Sequence, residues 1–358
     1  MKTDRTTSPP SFAIFNRTRQ KGPHVPGSKR LVIGASGFVG SHVTRQLVER
    51  GDDVRVMVRK TSSTKGISDL DIEYSYGDIF DDDALRDAMD GCDVVFYCVV
   101  DTRAWLRDPA PLFRTNVEGL RHVLDAAVEA DLKKFVFTST IGTIALSDDG
   151  PATEDMPFNW YDLGGAYIQS RVDAENLVLE YARERGLPAV AMCVSNTYGP
   201  RDWAPTPHGG LVAAAAAGKL PVWFNGLAYE VVGIEDAAKA LLLAADQGRN
   251  GERYIVSERY MTWNDLFDTA TDAVGARRPF IPIPFVVSKA IGPIGDLAGK
   301  VLRRDMELNS VSTRLAHIMS PMDHGKAVRE LGWQPQPAPD AIRKAARWYE
   351  EQRLARRS

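Results

Sequence analysis

The sequence predicts an α/β fold, a doubly wound parallel sheet with helices on both faces, followed by a smaller C-terminal lobe. Strand-like apolar runs alternate with helical patterns through the first 200 residues, and Pro and Gly become frequent after Pro200. The predicted strands are Arg30–Ile33, Val54–Val58, Ile72–Tyr76, Val94–Val100, Phe135–Thr138 and Ala189–Val194, and the predicted helices are Val39–Arg50, Asp82–Met89 and Asn116–Ala130.

The composition is that of an ordinary globular chain. The 358 residues are 44% hydrophobic and 25% charged, with a formal net charge of -3. This balance argues against nucleic acid or an anionic membrane as a general partner. The charge is uneven, because the first 30 residues carry seven Lys or Arg and one acid. We expect residues 1–28 to form a flexible basic tail outside the fold.

The cysteine and histidine content argues against a disulfide-stabilised protein and against a metal-binding protein. Cys92, Cys98 and Cys193 form no CxxC pair, and an odd number is no disulfide framework, so a cytoplasmic location is expected. The six histidines never fall in metal-ligand spacing, so no metal is expected. No run of about 18 uncharged apolar residues predicts a membrane span.

A glycine-rich loop joins the first predicted strand to the first helix. Gly34 permits a tight turn, Gly37 lets the backbone approach a pyrophosphate, and Gly40 allows close packing of helix on strand. The helix amide groups then meet the pyrophosphate. This order predicts a dinucleotide-binding domain over residues 29–200 and a mainly substrate-binding lobe over residues 201–358, with segments returning to the sheet.

The GxxGxxG spacing and three later landmarks resemble the extended short-chain dehydrogenase/reductase family, the NAD-dependent epimerase/dehydratase superfamily, from about residue 29 to 350. The landmarks are Gly77-Asp78-Ile79, Asn116-Val117-Glu118-Gly119, and Leu331-Gly332-Trp333 with a following Pro. The resemblance implies a Rossmann-type fold, NAD(P)-dependent oxidoreductase chemistry and contact of Asp78 with adenine. The cofactor-binding residues expected are Gly34, Ser36, Gly37, Phe38, Val39, Gly40, Arg59, Lys65, Asp78, Ile79, Cys98, Val99, Val100, Asn116, Tyr167, Arg171, Val194, Ser195 and Asn196.

The end of the second strand bears on the choice of nucleotide. NAD-selective members of the family carry an acid there, whereas this sequence has Arg59. A guanidinium suits the 2′-phosphate of NADP because its planar fork pairs with phosphate oxygens. Ser62, Ser63 and Lys65 follow on the same loop. We expect NADP(H), with NAD(H) as the alternative and a solvated basic turn as the other interpretation of Arg59.

The resemblance implies a catalytic set of a hydroxyl, a tyrosine and a cation. Thr140 would orient the substrate carbonyl, with Ser139 as its substitute, and Tyr167 would donate the proton. The family pattern Tyr-x-x-x-Lys ends here in Arg171, which shares a helix face with Tyr167. We expect the chemistry to survive with Arg171 as the cation. The alternative is a regulatory protein that binds a nucleotide without turnover.

Nucleotide-sugar epimerases and dehydratases share this scaffold, but two of their arginines are replaced here by Cys193 and Tyr229. Loss of both positive charges would leave a diphosphate poorly neutralised. The candidate substrate residues are Thr102, Trp105, Leu106, Thr140, Trp160, Trp203, Trp223, Phe224 and Tyr229. They favour a hydrophobic, ring-bearing ketone or aldehyde, interconverted with its alcohol as in dihydroflavonol reductases and 3-beta-hydroxysteroid dehydrogenase-like enzymes. An epimerase or dehydratase with tightly bound NAD is the alternative.

Two further expectations concern surfaces. The apolar segment Phe280–Leu302 and its basic neighbours predict a lid over the pocket, which could also touch a membrane. Ordinary packing within the small lobe is favoured over membrane contact for this segment. Family members usually pair through two helices, which correspond here to Asn116–Ala130 and the stretch that carries Val172, Leu177 and Val178. The resemblance therefore implies a homodimer through these two helices.

Overall fold

The computed structural model describes residues 29–318 and 320–356, except the side chains of residues 285, 288 and 289. The predicted basic tail lies outside these residues. The strands are β1 (Lys29–Ile33), β2 (Asp53–Val58), β3 (Glu73–Tyr76), β4 (Cys92–Tyr97), β5 (Lys134–Thr140), β6 (Ala189–Val194), β7 (Asn196–Tyr198), β8 (Val222–Phe224), β9 (Ala228–Gly233), β10 (Arg253–Val256), β11 (Arg259–Thr262) and β12 (Ile281–Ile283).

Helices connect and cover these strands. They are α1 (Phe38–Arg50), α2 (Asp82–Met89), α3 (Ala110–Phe113), α4 (Gly119–Glu129), α5 (Gly165–Glu184), α6 (Pro207–Ala216), α7 (Ile234–Gln247), α8 (Trp263–Asp272), α9 (Phe285–Leu302), α10 (Ser310–Leu315), α11 (Gly325–Leu331) and α12 (Ala338–Ala355). A π-helical turn, Arg114–Glu118, joins α3 to α4, and a 3-10 turn, Ile141–Thr143, follows β5.

Seven parallel strands form the central sheet in the order β3-β2-β1-β4-β5-β6-β10. One apolar core lies between the sheet and α1, α7 and α11, with Leu47 and Leu241 among its buried side chains. A second core fills the opposite face beneath α2, α4 and α5, with Leu85 and Leu120 fully buried. Helices on both faces confirm the predicted doubly wound, Rossmann-type fold.

The smaller lobe has its own core. Two small sheets, of β11-β9-β7 and β12-β8, combine with α6, α8 and α12. Buried Val212, Phe267, Ile342 and Tyr349 belong to this core. The chain returns to the main sheet between these parts, because α7 and β10 pack within the larger domain.

Several predicted boundaries shift by one or two residues, and two larger differences bear on the site. The fourth strand ends at Tyr97, not Val100, because Cys98 to Val100 leave the sheet and line a cleft at its carboxyl edge. The predicted helix Asn116–Ala130 begins in the π-helical turn, so regular α4 starts at Gly119. A π-turn inserted in a helix is frequent at functional sites.

The segment predicted as a lid forms β12 and α9, and one side of α9 packs on the residues that follow it. Ile294, Leu297 and Val301 of α9 are exposed, whereas Gly292 and Gly295 face the protein. No helix among the described residues is long and apolar enough to cross a membrane.

Candidate active site

A cleft of about 490 Å³ opens at the carboxyl edge of the central sheet. It lies where the strand order reverses between β1 and β4, the point at which doubly wound sheets bind ligands. Of the residues predicted to bind cofactor or substrate, those that line it are Gly34, Ser36, Gly37, Arg59, Asp78, Ile79, Cys98, Val99, Val100 and Thr102. The loops after β1, β2, β3 and β4 therefore meet at one place.

The glycine loop is built for close backbone approach. Gly34 has a φ of +90°, and a Cβ there would lie 2.9 Å from the carbonyl carbon of Cys98. A Cβ on Gly40 would lie 2.3 Å from the carbonyl oxygen of Gly34, so α1 packs too closely on β1 for a side chain. Gly37 caps α1, whose first residues are Phe38 and Val39. The free amide groups of this first turn point into the region where a pyrophosphate is expected.

Arg59 stands exposed at the end of β2 and lines the cleft together with Ser62. Within the described chain, its guanidinium has no ion-pair partner. Lys65, from the same loop, instead places its Nζ 4.0 Å from the ring centroid of Trp203. The structure thus brings Arg59 to the nucleotide cleft, while Lys65 and Trp203 contact each other outside its lining.

Sequence reasoning missed an ion pair at the far side of the cleft. Arg103 donates two side-chain hydrogen bonds to Asp101, at 2.9 and 2.6 Å. Hydrogen bonds from Arg103 outweigh the effect of burial and lower the pKa of Asp101. The sequence signal that could have predicted this pair is the Asp-x-Arg pattern directly after a buried strand. The other lining residues that were not predicted as site residues are Ile33, Met57, Val58, Ser62, Gly77, Phe80 and Thr115.

Asn116 holds the backbone at the end of β4. Its Oδ1 accepts a hydrogen bond from the Asp101 amide at 2.8 Å, and its Nδ2 donates to the Asp101 carbonyl at 3.0 Å. Nδ2 also donates to Ser170 Oγ at 3.0 Å, on the helix that carries Tyr167. Asn116 is buried in the π-helical turn and does not line the cleft. In this structure it ties the cleft loop to α5.

Tyr167 and Thr140 come together as predicted for a proton donor and a carbonyl-orienting hydroxyl. Burial raises the pKa of Tyr167, whereas the positive charge of Arg171 and a hydrogen bond with Thr140 act to lower it. Thr140 ends β5, and its Oγ1 accepts from the Gly142 amide at 3.2 Å. The phenol therefore stays protonated at neutral pH, as a proton donor requires.

Arg171 is buried and lies one turn after Tyr167 on α5. Its Nη2 donates to the Thr138 carbonyl at 2.8 Å, and its guanidinium carbon lies 5.1 Å from the Phe137 ring centroid. Nε and Nη1 find no hydrogen-bond partner in the described part of the chain. A buried cation with free donors beside the tyrosine is suited to hold ribose hydroxyls.

Ser139, the predicted substitute for Thr140, faces away from Tyr167. It donates a hydrogen bond to buried Glu175, which also accepts from Thr143 at 2.8 Å. Arg253 pairs with the same carboxylate at 3.2 Å. Cys193, where nucleotide-sugar enzymes carry an arginine, lies buried in this cluster and donates to Glu175. Ser139 and Cys193 therefore belong to a polar network beneath the sheet edge.

The loop after β6 contributes a second set of predicted cofactor residues. Val194 ends β6, and Ser195 follows with a buried Oγ that has no partner among residues 29–318 and 320–356. Asn196 uses its Nδ2 to donate to the Glu230 carbonyl at 3.1 Å. Ser195 therefore has an unused hydroxyl, while the Asn196 amide is tied to the small lobe.

The predicted substrate residues fall into three places. Trp160 is buried in an apolar cluster against which Tyr167 packs. The Trp105 carbonyl accepts from Asn309 Nδ2 at 3.2 Å, which links the loop after β4 to the start of α10. Tyr229 is buried in the small-lobe core, with its ring 5.7 Å from Trp263. Leu106 lies beside Trp105, whereas Trp223 and Phe224 form β8.

These features fit a dinucleotide. The glycine loop leaves no room for side chains, Arg59 offers a guanidinium without an ion pair, and Arg171 and Ser195 keep buried polar atoms without partners in the described residues. The glycine loop and Arg59 line the cleft, where the pyrophosphate and the adenosine ribose are expected, whereas Arg171 on α5 and Ser195 after β6 lie outside its lining.

Comparison with known proteins agrees with this geometry. The model of the NAD dependent epimerase/dehydratase family matches residues 30–257. Sterol demethylase protein B of Methylococcus capsulatus is 28% identical over 90% of this chain and 98% of its own length. A putative dihydroflavonol 4-reductase of Synechocystis sp. is 29% identical over 89% of this chain and 94% of its own length.

A solved structure, that of gox2253, extends the likeness to the small lobe. It is 32% identical, with a TM-score of 0.81 over 91% of this chain and 98% of its own. The family match covers the glycine loop, Tyr167 and the end of the central sheet. The resemblance predicted from the motifs is thus confirmed. The chain belongs to the NAD-dependent epimerase/dehydratase family of extended short-chain dehydrogenases/reductases, and it is an NAD(P)-dependent oxidoreductase.

Proposed function

We propose that this protein is an NADP(H)-dependent reductase that interconverts a hydrophobic, ring-bearing ketone or aldehyde and its alcohol. The observation that carries the proposal is the environment of Tyr167. The phenol packs against an apolar cluster of Trp160, Ile168 and Val172, to which Phe158, Leu146, Leu315 and Ile318 also contribute. A carbonyl compound that lies against these side chains would gain by burying apolar surface.

The residues divide the chemistry between them. When bound, reduced nicotinamide supplies the hydride to the carbonyl carbon. Thr140 donates a hydrogen bond to the carbonyl oxygen, and Tyr167 transfers its proton to that oxygen, which becomes the alcohol. Arg171 stabilises the phenolate that remains until solvent returns the proton. In the reverse direction the same phenolate accepts the alcohol proton.

The two positions that carry arginine in nucleotide-sugar enzymes support this substrate class. Cys193 lies beneath the sheet edge with Glu175, and Tyr229 packs against His208 and Trp263 in the small-lobe core. Neither position offers a cation to a diphosphate. The names of two relatives, a sterol demethylase protein and a putative dihydroflavonol reductase, refer to fused-ring compounds and point the same way.

For nucleotide choice, Arg59 supports NADP(H). It is exposed at the cleft and has no ion-pair partner in the described chain, so its fork is free to pair with a 2′-phosphate. No acid lines the cleft at the end of β2, where NAD-selective relatives hold the ribose.

A turnover assay separates the candidate functions. The purified protein is mixed with NADPH and, in parallel, with a steroid ketone, a dihydroflavonol, and uridine and thymidine diphosphate sugars. We expect NADPH oxidation with at least one apolar ketone and no conversion of the sugars. Conversion of a nucleotide sugar alone would favour an epimerase or dehydratase. Tight NADPH binding without turnover of any compound would favour a regulatory protein.

A further inference from the structure

A buried carboxylate on α5 joins the helix of Tyr167 to three neighbouring strands. Glu175 lies one turn after Arg171 and two turns after Tyr167, on the same side of α5. Its side chain is 2% exposed. The groups that bind it are Ser139 on β5, Thr143 in the turn that follows, Cys193 on β6 and Arg253 on β10. Because β5, β6 and β10 are adjacent in the sheet, one carboxylate ties all three strands to the helix.

The partners of Glu175 suit an ionised carboxylate. Ser139 and Thr143 donate from their hydroxyls to Oε2, Thr143 at 2.8 Å, and Arg253 places Nη1 3.2 Å from Oε1. Burial, together with the negative charge of Glu175, raises the pKa of Cys193, so this residue stays a thiol and donates to Oε2 as well. Loss of the carboxylate would therefore leave a cation and several donors without their acceptor.

Two of these contacts lie on either side of Thr140. Ser139 precedes it directly, and the Thr143 hydroxyl lies 2.7 Å from the Thr140 carbonyl oxygen as well as 2.8 Å from Glu175. Arg253, the counter-ion of Glu175, also donates from Nη2 to the Thr143 carbonyl at 3.2 Å. The short turn after β5 is therefore fixed both to the carboxylate and to its counter-ion.

This turn in its place orients the Thr140 side chain. The Gly142 amide donates to Thr140 Oγ1 at 3.2 Å, so the oxygen accepts from the turn and its proton remains available for a carbonyl oxygen. A hydrogen bond also joins the Thr140 hydroxyl to Tyr167. A movement of the turn would change the direction of the hydroxyl and its distance from the phenol.

We infer that Glu175 is a positioning residue, which sets the placement of the Thr140 hydroxyl against the Tyr167 phenol through the turn that it holds. Stability alone does not account for the cluster, because apolar side chains of similar volume often stabilise a fold as well as a buried ion pair does. A fixed geometry does account for it, since a displacement of about 1 Å at a reacting group can lower the rate about a hundredfold. That these two groups react rests on the proposed function.

Fluorine NMR of Tyr167 tests the positioning without cofactor or substrate. The protein is labelled with 3-fluorotyrosine, and the Tyr167 signal is identified by its loss from Tyr167→Phe. We expect Glu175→Gln, which keeps the volume and removes the charge, to shift this signal, and Thr140→Val to shift it as well. Because Glu175 acts through Thr140, the shift caused by Glu175→Gln should disappear in the Thr140→Val background.

Asp52→Asn is the matched control, because Asp52 is also a buried carboxylate with an arginine partner. Its side chain is 1% exposed and lies 3.5 Å from Arg30. It directly precedes β2, at the amino edge of the sheet and opposite the cleft, so its loss should leave the Tyr167 signal unchanged. Thr143→Val is the milder second variant in case Glu175→Gln does not fold, and it should shift the Tyr167 signal because it removes the hydroxyl between Glu175 and the turn.

Three NMR results would overturn the inference: an unchanged Tyr167 signal in Glu175→Gln or Thr143→Val, an equal shift in Asp52→Asn, or a Glu175→Gln shift that persists in the Thr140→Val background.

Kinetics on a confirmed ketone measure the consequence for the reaction. Glu175→Gln should lower kcat by about tenfold to a hundredfold. The dissociation constant of NADPH should stay within about twofold of wild type, because Glu175 lies outside the cleft lining. Equal kcat for Glu175→Gln and wild type would also overturn the inference. A shifted Tyr167 signal without turnover of any ketone would count against the proposed function alone, since the NMR measurement uses no substrate.

Discussion

Arg171 donates a hydrogen bond of 2.8 Å from its Nη2 to the main-chain carbonyl of Thr138. This contact ties the cation of α5 to β5, the strand that ends at Thr140. Lysine, which the family pattern has at this position, could not hold that carbonyl and still offer two further donors in a fixed plane. We therefore propose that the site is fitted around a guanidinium.

Replacement of Arg171 tests this fit. Arg171→Lys keeps the charge but loses the planar anchor, so kcat/KM should fall about tenfold or more, as for loss of a charged hydrogen bond. Arg171→Ala should reduce kcat further and weaken NADPH binding as well, since it also removes the donors proposed for ribose. Steady-state kinetics and NADPH titration measure both effects. Activity of Arg171→Lys equal to or above wild type would mean that arginine merely substitutes for lysine.

Arg59 should determine nucleotide choice. Arg59→Ala removes the guanidinium proposed to pair with the 2′-phosphate, so NADPH should bind about tenfold to a hundredfold more weakly. The dissociation constant of NADH, which lacks that phosphate, should change by less than about twofold. Lys60→Ala is the control, because Lys60 is exposed next to Arg59 without lining the cleft. Equal weakening of both nucleotides, or a wild-type preference for NADH, would contradict the assignment.

Buried His42 should make the fold sensitive to acid. Burial lowers its pKa to about 4, and its Nε2 lies 3.0 Å from the Pro200 carbonyl. In the unfolded chain a histidine titrates near ~6.5, so the unfolded state takes up the proton first. This group's contribution to stability is present above that value. It is lost as pH falls toward 4, on the order of 3 kcal/mol in all.

Urea unfolding at a series of pH values measures this loss. His42→Gln, which can still donate to the Pro200 carbonyl, should flatten the decline between about pH 6.5 and 4. His122→Gln is the comparison, because it makes the same substitution at an imidazole that is 40% exposed beside Asp82. A pH profile of His42→Gln that matches wild type would remove His42 as the cause.

Local patterns predicted much of this site because the chemistry lies at the ends of regular elements. The glycine loop, Arg59 and Asp78 follow strands whose apolar runs are clear in the sequence, and all of them reach the cleft. Asp101 and Arg103 were missed because a loop of mixed polarity gives no periodic signal. Tyr229 and Trp203 were predicted as substrate residues from their aromatic character alone. Tertiary packing decides whether an aromatic side chain enters a core or lines a pocket, and neither lines the nucleotide cleft.

The two sides of α9 illustrate another limit. Its apolar residues predicted a lid over the pocket or packing within the small lobe, without indicating which side would face the protein. The glycines spaced along it set the orientation, because they allow the following segment to pack on the backbone and leave the aliphatic side outward. Which side of a helix faces the protein depends on its neighbours, which a single helix pattern does not specify.

The most direct test of the account is the turnover number of Tyr167→Phe on a confirmed apolar ketone. The phenyl ring keeps its packing against the apolar cluster and loses only the hydroxyl that transfers the proton. We expect kcat to fall by about 10²- to 10⁴-fold, as for loss of a general acid, while the NADPH dissociation constant stays within about twofold. A Tyr167→Phe enzyme that retains wild-type kcat would contradict the proposed mechanism, whatever the effect of the Arg171 variants.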